Sequence, residues 1–291
     1  MTLPLVVGVD GSDSSLLALD WAMDLAARSR LPLRVVHASA WERYEAALPA
    51  LSRERSSGQV LAEHIVASAA ERVHRHNPDL DVSTEVTPAE AVSALLAEAR
   101  NATALITGSR GRGELKGTLL GSVGLSVAAR ADCPVIVVRG DKAALAGSHG
   151  RIMLGVGDPA MCREAARFAF REAEARGCEL DIVRAWRCPA GEGADAAGPA
   201  EDPAHRHERQ AAQLIEDLVA DASVARPDVR LRRTTVEGEA RKTLVHRSAA
   251  ADLVVVGARR RSGRFGPQLG RVAHMLLHHA ACPVAVVPEG D

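Results

Sequence analysis

The sequence predicts an α/β protein made of two tandem, doubly wound parallel sheets of five strands each, with helices on both faces. The first observation is a long internal repeat. Residues 131–138 (ADCPVIVV) recur as 280–287 (AACPVAVV), and 104–110 is matched by 253–259, each pair separated by 149 residues. The second observation is that short apolar runs alternate with helical patterns in each half. A repeat this long indicates duplicated domains rather than a solenoid of short units.

The apolar runs predict the strands, because strands buried on both faces of a parallel sheet read as continuous Val, Ile and Leu segments. In the first half these runs lie at 4–9, 33–38, 103–107 and 135–138, and a weaker strand is predicted at 81–86. The second half follows the same order, with strands predicted near 152–156, 180–185, 230–236, 252–256 and 284–287. The predicted domains are 1–140 and 150–291, joined by the polar, Gly-containing linker 140–150. The segment 189–203, rich in Gly, Ala and Pro, is predicted to be a mobile loop.

Two helix starts carry recognisable signals. Residues 12–15 offer N-cap candidates ahead of an apolar stripe of Leu16, Leu19, Met23 and Ala26. Residues 87–90 (TPAE) form a capping box with Pro at the first helical position, which predicts a helix over 88–100.

Composition excludes several classes of function. The net charge is −1 and aromatic residues make up 2% of the chain, so neither nucleic acid nor an anionic membrane is an expected partner. No stretch approaches the roughly 20 apolar residues of a membrane span, and the start reads as a strand rather than a signal peptide. The five cysteines form no CxxC pair, which favours reduced thiols in a cytoplasmic protein.

The segment after the strand 103–107 has the chemistry of a phosphate-binding loop. It begins Gly108-Ser109-Arg110-Gly111-Arg112-Gly113 and runs to Gly121-Ser122, where a helix is predicted to start. Glycines let backbone N–H groups approach an anion, and the helix N-terminus and the basic side chains add positive potential. Neither a Walker A loop nor a Rossmann fingerprint fits, because Lys116 stands where the Rossmann pattern needs its third glycine and the order Lys116-Gly117-Thr118 is wrong for Walker A.

The spacing Gly108-x2-Gly111-x9-Gly121-Ser122 resembles the G-2x-G-9x-G-S/T signature of ATP-binding universal stress proteins. The segments VGVDGS at 7–12 and CPVIVV at 133–138 resemble that family too, and the likeness covers both halves. It implies an adenine nucleotide alpha hydrolase-like sheet of order 3-2-1-4-5, and ATP or a related adenine nucleotide as ligand, alone or with Mg²⁺. It also implies a regulatory role in stress response and dimerisation through the last strand. Tandem members can form that pairing between their own two halves, and a homodimer is the other arrangement.

By position, the resemblance assigns the ligand contacts in the first half. Asp10 would hold the ribose hydroxyls or the metal–nucleotide assembly, with Gly8 allowing close approach beside it, and main chain near His37 and Ala38 would face adenine. The other predicted site residues belong to the loop around the phosphates and the helix start that closes its far side: Gly108, Ser109, Arg110, Gly111, Arg112, Gly113, Gly121, Ser122 and Val123. For Asp10, an Asx-turn or N-cap role remains the alternative.

The second half departs from this pattern at three positions. Arg260 stands where the first half has Gly111, Arg271 replaces Ser122, and Gly157 stands in place of Asp10. We therefore expect the second half to bind ATP weakly or not at all. No catalytic constellation or metal-ligand set is recognisable, which favours a binding protein over an enzyme. A slow ATPase or phosphotransferase using the same pocket is the alternative, and a scaffold without nucleotide is a third possibility.

Overall fold

The structure is a computed structural model of the 291-residue chain, and it describes residues 2–40, 57–111, 120–188, 202–258 and 269–290. It divides into two compact units, Met1–Arg139 and Gly140–Asp291. Most of the predicted mobile loop, 189–201, lies outside the described residues. No helix within the described ranges is long and apolar enough to cross a membrane.

The first unit is a five-stranded sheet in the order β3-β2-β1-β4-β5, with every pair parallel. Its strands are β1 (Leu5–Gly8), β2 (Leu33–Ala38), β3 (Val82–Thr87), β4 (Ala104–Gly108) and β5 (Val135–Val138). Its described helices are α1 (Asp13–Ser29), α2 (Ser57–His76), α3 (Ala91–Ala99) and α4 (Ser122–Arg130). The central strands are buried on both faces, with Val6, Val7, Leu105 and Ile106 wholly inaccessible.

The second unit repeats this topology in the order β8-β7-β6-β9-β10, again with every pair parallel. Its strands are β6 (Arg151–Gly155), β7 (Glu179–Trp186), β8 (Leu231–Glu237), β9 (Leu253–Ala258) and β10 (Val284–Pro288). Its described α-helices are α5 (Lys142–Leu145), α6 (Arg163–Arg176), α7 (Pro203–Ala225), α8 (Ala240–Arg247) and α9 (Arg271–His279). The prediction of two doubly wound parallel sheets of order 3-2-1-4-5 is confirmed.

The start of α1 agrees with its sequence signal. Ser12 is the N-cap, and its hydroxyl accepts a hydrogen bond from the Ser15 N–H at 3.3 Å. Leu19, Met23 and Ala26 of the predicted stripe are buried against the sheet. The N-cap satisfies one of the amides that a helix start leaves unbonded, and the stripe supplies the packing energy, so local signal and tertiary contact agree here.

One local prediction is wrong. The capping box at 87–90 does not form: α3 begins at Ala91 after the N-cap Glu90, which makes no side-chain cap hydrogen bond. Thr87 instead ends β3, in register with Ala38, and its carbonyl accepts from the Ser39 N–H at 3.0 Å, so pairing with β2 outweighs the capping signal. The predicted linker also contains the short helix α5, whose N-cap Asp141 accepts from the Ala144 N–H at 2.9 Å.

Candidate functional site

A cavity of about 360 Å³ lies at the carboxyl ends of the strands in the first unit. β1 lies between β2 and β4, so the chain winds toward one edge of the sheet after β1 and toward the other after β4. Doubly wound sheets bind ligands where the winding reverses in this way. The residues lining the cavity come from the strand ends, from α1 and α3, and from the start of α4: Gly8, Val9, Asp10, Ser15, Val36, His37, Ala38, Ala91, Leu95, Thr107, Gly108, Arg110, Gly111, Gly121, Ser122, Val123 and Gly124.

The fold brings most of the sequence-predicted residues together around this cavity. The predicted residues in the lining are Gly8, Asp10, Ala38, Gly108, Arg110, Gly111, Gly121, Ser122 and Val123. Ser109 is not part of the lining, and Arg112 and Gly113 lie outside the described residues. The lining residues that sequence reasoning missed include Val36, Leu95 and Thr107, because buried strand and helix residues carry no chemical signal that separates a wall from an ordinary core.

Asp10 forms the Asx-turn that its sequence left open as one alternative, and it also lines the cavity. Its Oδ1 accepts from the Ser12 N–H at 3.0 Å and from the Ser12 hydroxyl at 2.6 Å, which is an Asx-turn leading into α1. Its Oδ2 faces the glycine loop, and a Cβ added to Gly111 would lie 2.9 Å from that oxygen. One carboxylate oxygen therefore shapes the turn, while the other lies at the mouth between β1 and β4.

Ser109 contributes to the site by holding the loop rather than by lining it. Its N–H donates to the Val138 carbonyl at 3.1 Å, and its carbonyl accepts from the Gly121 N–H at 2.8 Å, which joins the two ends of the loop. The hydroxyl of Ser14, in the first turn of α1, accepts from the Arg110 N–H at 3.2 Å. These bonds position the loop ends beside the cavity.

Gly108 is required by packing. A Cβ at this position would lie 2.6 Å from the Ser14 carbonyl oxygen and 2.7 Å from its carbonyl carbon, and real Cβ atoms essentially never approach backbone so closely. The end of β4 therefore packs directly on the first turn of α1. Gly108 enables this close approach, whereas among the described residues a Cβ on Gly111 would meet only the carboxylate of Asp10.

The start of α4 supplies hydrogen-bond donors to the cavity. Its N-cap is Gly121, which has no side chain to cap the helix, and Ser122, Val123 and Gly124 of the first turn all line the cavity. The first amides of an α-helix have no partners within the helix and carry a partial positive charge. The hydroxyl of Thr107 is buried beside them and has no hydrogen-bond partner in the part of the chain described here. This side of the cavity is suited to an anion.

Another part of the cavity lining is apolar. Val36 and Leu95 are buried there, and a Cβ on Gly8 would already lie 3.0 Å from the Leu95 side chain. His37 is also buried, and its Nδ1 lies 2.7 Å from the Val9 carbonyl, so Nδ1 carries the proton of that hydrogen bond. The described lining of the cavity thus combines an apolar part with hydrogen-bond donors and one carboxylate, that of Asp10.

The second unit has different residues at the positions equivalent to this site. The sheet registers place Arg184 where the first unit has His37, and Gly157 where it has Asp10. The Arg184 guanidinium donates to the Gly157 carbonyl, and burial lowers the pKa of this arginine. Position 260, the counterpart of Gly111, lies outside the described residues.

Comparison with known proteins gives a consistent match over both units. The model of the universal stress protein family matches residues 1–139 and again 149–288. A universal stress protein of Mycobacterium tuberculosis (strain ATCC 25618 / H37Rv) is 33% identical over 296 residues, covering 98% of this chain and 96% of the relative.

A solved structure that covers nearly the whole chain agrees in fold. A universal stress protein from Archaeoglobus fulgidus superimposes with a TM-score of 0.68 at 15% identity, covering 99% of this chain and 98% of its own. Another universal stress protein, solved in complex with cAMP, is 30% identical and covers 47% of this chain and 97% of its own, with a TM-score of 0.35.

Proposed function

This chain belongs to the universal stress protein family, and we propose that its first unit binds an adenine nucleotide, ATP above all, as a regulatory ligand. The observation that carries the proposal is the position of Asp10, whose Oδ2 faces Gly111 at the mouth between β1 and β4. A carboxylate opposite a glycine loop can accept hydrogen bonds from ribose hydroxyls while the loop amides donate to phosphates.

The two ends of the cavity suit the two ends of a nucleotide. At about 360 Å³ the cavity falls in the range typical of small-molecule pockets. Val36, Ala38, Ala91 and Leu95 offer an apolar wall to a base. The amides at the start of α4 and the buried Thr107 hydroxyl offer donors to phosphate oxygens.

Mg²⁺ would be held through the nucleotide. Asp10 is the one carboxylate in the described lining of the cavity. Protein-bound Mg²⁺ is commonly held by one or two carboxylates together with substrate phosphates and water, so a single carboxylate fits a metal–nucleotide complex. Titrations with Mg²⁺ and with EDTA separate this role of Asp10 from direct ribose binding.

We propose a binding role rather than turnover. Within the described lining the ionisable side chains are Asp10, His37 and Arg110. In this proposal Asp10 Oδ1 accepts from Ser12 and its Oδ2 serves the ribose or the metal, while His37 lies at the end of β2, on the side assigned to the base, so neither acts as a general base at the phosphate end. ATP would then shift a conformational population without being consumed. Release of many phosphate ions per chain, measured by malachite green, would instead favour the slow ATPase.

The test is ATP binding measured by calorimetry in two matched variants. Asp10→Asn keeps an Oδ1 acceptor for Ser12 but removes the charge opposite Gly111, and we expect it to weaken ATP at least about tenfold, or about 1.4 kcal/mol. Asp13→Asn removes an exposed carboxylate three residues away that does not line the cavity, and its effect should stay under about twofold. Equal affinity of both variants for ATP would contradict the proposal.

Pairing of the two units through their last strands, a homodimer and a cytoplasmic location stay predictions. Light scattering of the purified chain tests the homodimer, since a monomer has a mass of 30.7 kDa.

A further inference from the structure

The second unit has its own cleft at the carboxyl ends of its strands. This cleft has a volume of about 400 Å³ and is lined by Ala185, Trp186, Arg187, Gly238, Glu239, Ala240, Arg241, Arg271 and Val272. By sheet register and repeat spacing, Ala185, Ala240 and Val272 correspond to Ala38, Ala91 and Val123 of the first unit's cavity. The cleft is therefore the counterpart of the outer part of that cavity.

The inner part of the first unit's cavity has no counterpart in the lining of this cleft. Residues at the β1 end, such as Gly8 and Asp10, line the first cavity, whereas their equivalents Gly155 and Gly157 are not part of the second. The Arg184 side chain spans this region by donating to the Gly157 carbonyl. A base and ribose seated as in the first unit would have to displace that guanidinium.

What remains is a cationic cleft. Arg187, Arg241 and Arg271 stand where the first unit has Ala40, Val92 and Ser122. Glu239 is the one carboxylate in the described lining, and it pairs with Arg187 at 3.0 Å, Arg241 at 3.5 Å and Lys242 at 3.3 Å. Hydrogen bonds from Arg241 and Lys242 hold the pKa of Glu239 at about 2, so it stays charged and balances one cation of the group.

The cleft contains further hydrogen-bond donors beside these arginines. Arg271 is exposed, and no carboxylate among the described residues lies within ion-pair distance of it. The indole N–H of Trp186 is buried and has no acceptor in the described parts of the chain. The lining also includes the first residues of α8 and α9, and neither helix has a side-chain cap. Guanidinium groups and uncapped helix starts are the usual ligands of phosphoryl oxygens.

We infer that the second unit binds a compact phosphoryl anion of the pyrophosphate class, without a nucleoside, in the cleft lined by Arg187, Arg241 and Arg271. The inference does not rest on nucleotide binding by the first unit. The same phosphoryl chemistry occurs in a free anion and in the phosphate tail of a nucleotide, so the experiment has to separate the two sources.

The test titrates sodium pyrophosphate into the full chain by calorimetry at constant ionic strength. Arg271→Ser installs the residue found at the equivalent position of the first unit, and we expect at least about a tenfold loss of affinity. The control is Arg232→Ser, which removes an exposed arginine near the opposite end of β8, and its effect should stay under about twofold. Undetectable pyrophosphate binding by the wild-type chain at millimolar concentration, or equal binding by both variants, would overturn the inference.

A second variant distinguishes pyrophosphate binding in this cleft from pyrophosphate binding in the first unit. Gly111→Asp places another carboxylate beside Asp10 and should repel phosphate there, while leaving the pyrophosphate affinity of the second unit unchanged. Loss of pyrophosphate binding in Gly111→Asp but not in Arg271→Ser would assign the anion to the first unit and overturn the inference. If the Gly111→Asp chain binds ATP more tightly than pyrophosphate, the second unit prefers a nucleotide, and that result would also overturn the inference.

Discussion

Replacement of Gly108 by Ala tests whether this glycine is kept for packing or for a ligand. The added Cβ would lie 2.6 Å from the Ser14 carbonyl oxygen, whereas ordinary contact begins near 3.4 Å, so β4 and α1 must separate by about 0.8 Å. Overpacking of this kind costs about 1–3 kcal/mol, and the lower chain entropy of unfolded Ala returns about 0.4–1 kcal/mol. We therefore expect a net loss of about 1–2 kcal/mol in the free energy of unfolding.

The assay is urea denaturation without ligand, followed by circular dichroism. Gly257, the counterpart of Gly108, is tighter still, because its Cβ would lie 1.8 Å from the Met161 carbonyl oxygen, so Gly257→Ala should cost more. The control is Gly157→Ala, whose Cβ would meet no described atom within 4 Å and should change stability by less than about 1 kcal/mol. A Gly108→Ala protein as stable as this control would refute the packing argument and leave phosphate approach as the reason for the glycine.

Replacement of Gly111 by Ala should affect ligand binding rather than stability. In the described part of the chain its Cβ would meet only the carboxylate of Asp10, at the end of a side chain, so Gly111→Ala should alter the free energy of unfolding by less than about 1 kcal/mol. The same methyl group would displace Asp10 Oδ2 from the mouth of the cavity, so ATP affinity should fall. The two glycines of one motif are thus expected to separate stability from binding.

Two further predictions concern the ion pair of Asp181 and the cysteines. Arg247 Nη2 lies 2.9 Å from a carboxylate oxygen of Asp181, whose side chain is 3% exposed. Arg247→Met would leave this buried carboxylate with Thr234 as its remaining side-chain donor among the described residues. We therefore expect the free energy of unfolding to fall by roughly 3 kcal/mol. Arg232→Met serves as the matched exposed control, and a loss equal to that control would contradict the reasoning. Burial raises the pKa of the Cys133 thiol to about 11, and Cys162, Cys178 and Cys282 are buried too. Cys188 is partly exposed. Ellman's reagent at pH 8 should therefore modify Cys188 rapidly, and the other four thiols only after unfolding. Fast reaction of two or more thiols in the folded chain would show that a second cysteine is accessible.

The sequence predicted the elements that depend on strong periodicity or on repetition. The ten strands appear close to their predicted positions. Eight of them are largely buried apolar runs, a pattern that few other structures produce, whereas the edge strands β3 and β8 are polar and partly exposed and were predicted from weaker signals. The signal at 87–90 failed because it is local, while the choice between a cap and a strand end depended on hydrogen bonds from β2, which lies about 50 residues earlier in the chain.

The residues of the candidate site likewise fall into those that a sequence signal identified and those that it did not. Gly108, Gly111, Gly121 and Ser122 were identifiable because their spacing resembles the signature of the family, and Gly8 and Asp10 because residues 7–12 resemble it too. Leu95 and Thr107 were not, since a buried residue beside a cavity has the same sequence pattern as one in a filled core. Arg184 carried no motif at all, and its role in the second unit follows only from the register of β7 against β6.

By itself, the sequence of this protein determined the duplication, the alternation of strands and helices, and the asymmetry between the halves, since all three are properties of residue order and type. Only the tertiary structure decided that Gly108 serves packing while Gly111 faces Asp10, and that Arg184 reaches Gly157 beside a cationic cleft. The physical reason is that sterics and electrostatics act through distance in space. Residues 14 and 108, or 10 and 111, become neighbours only when the parallel strands align their carboxyl ends.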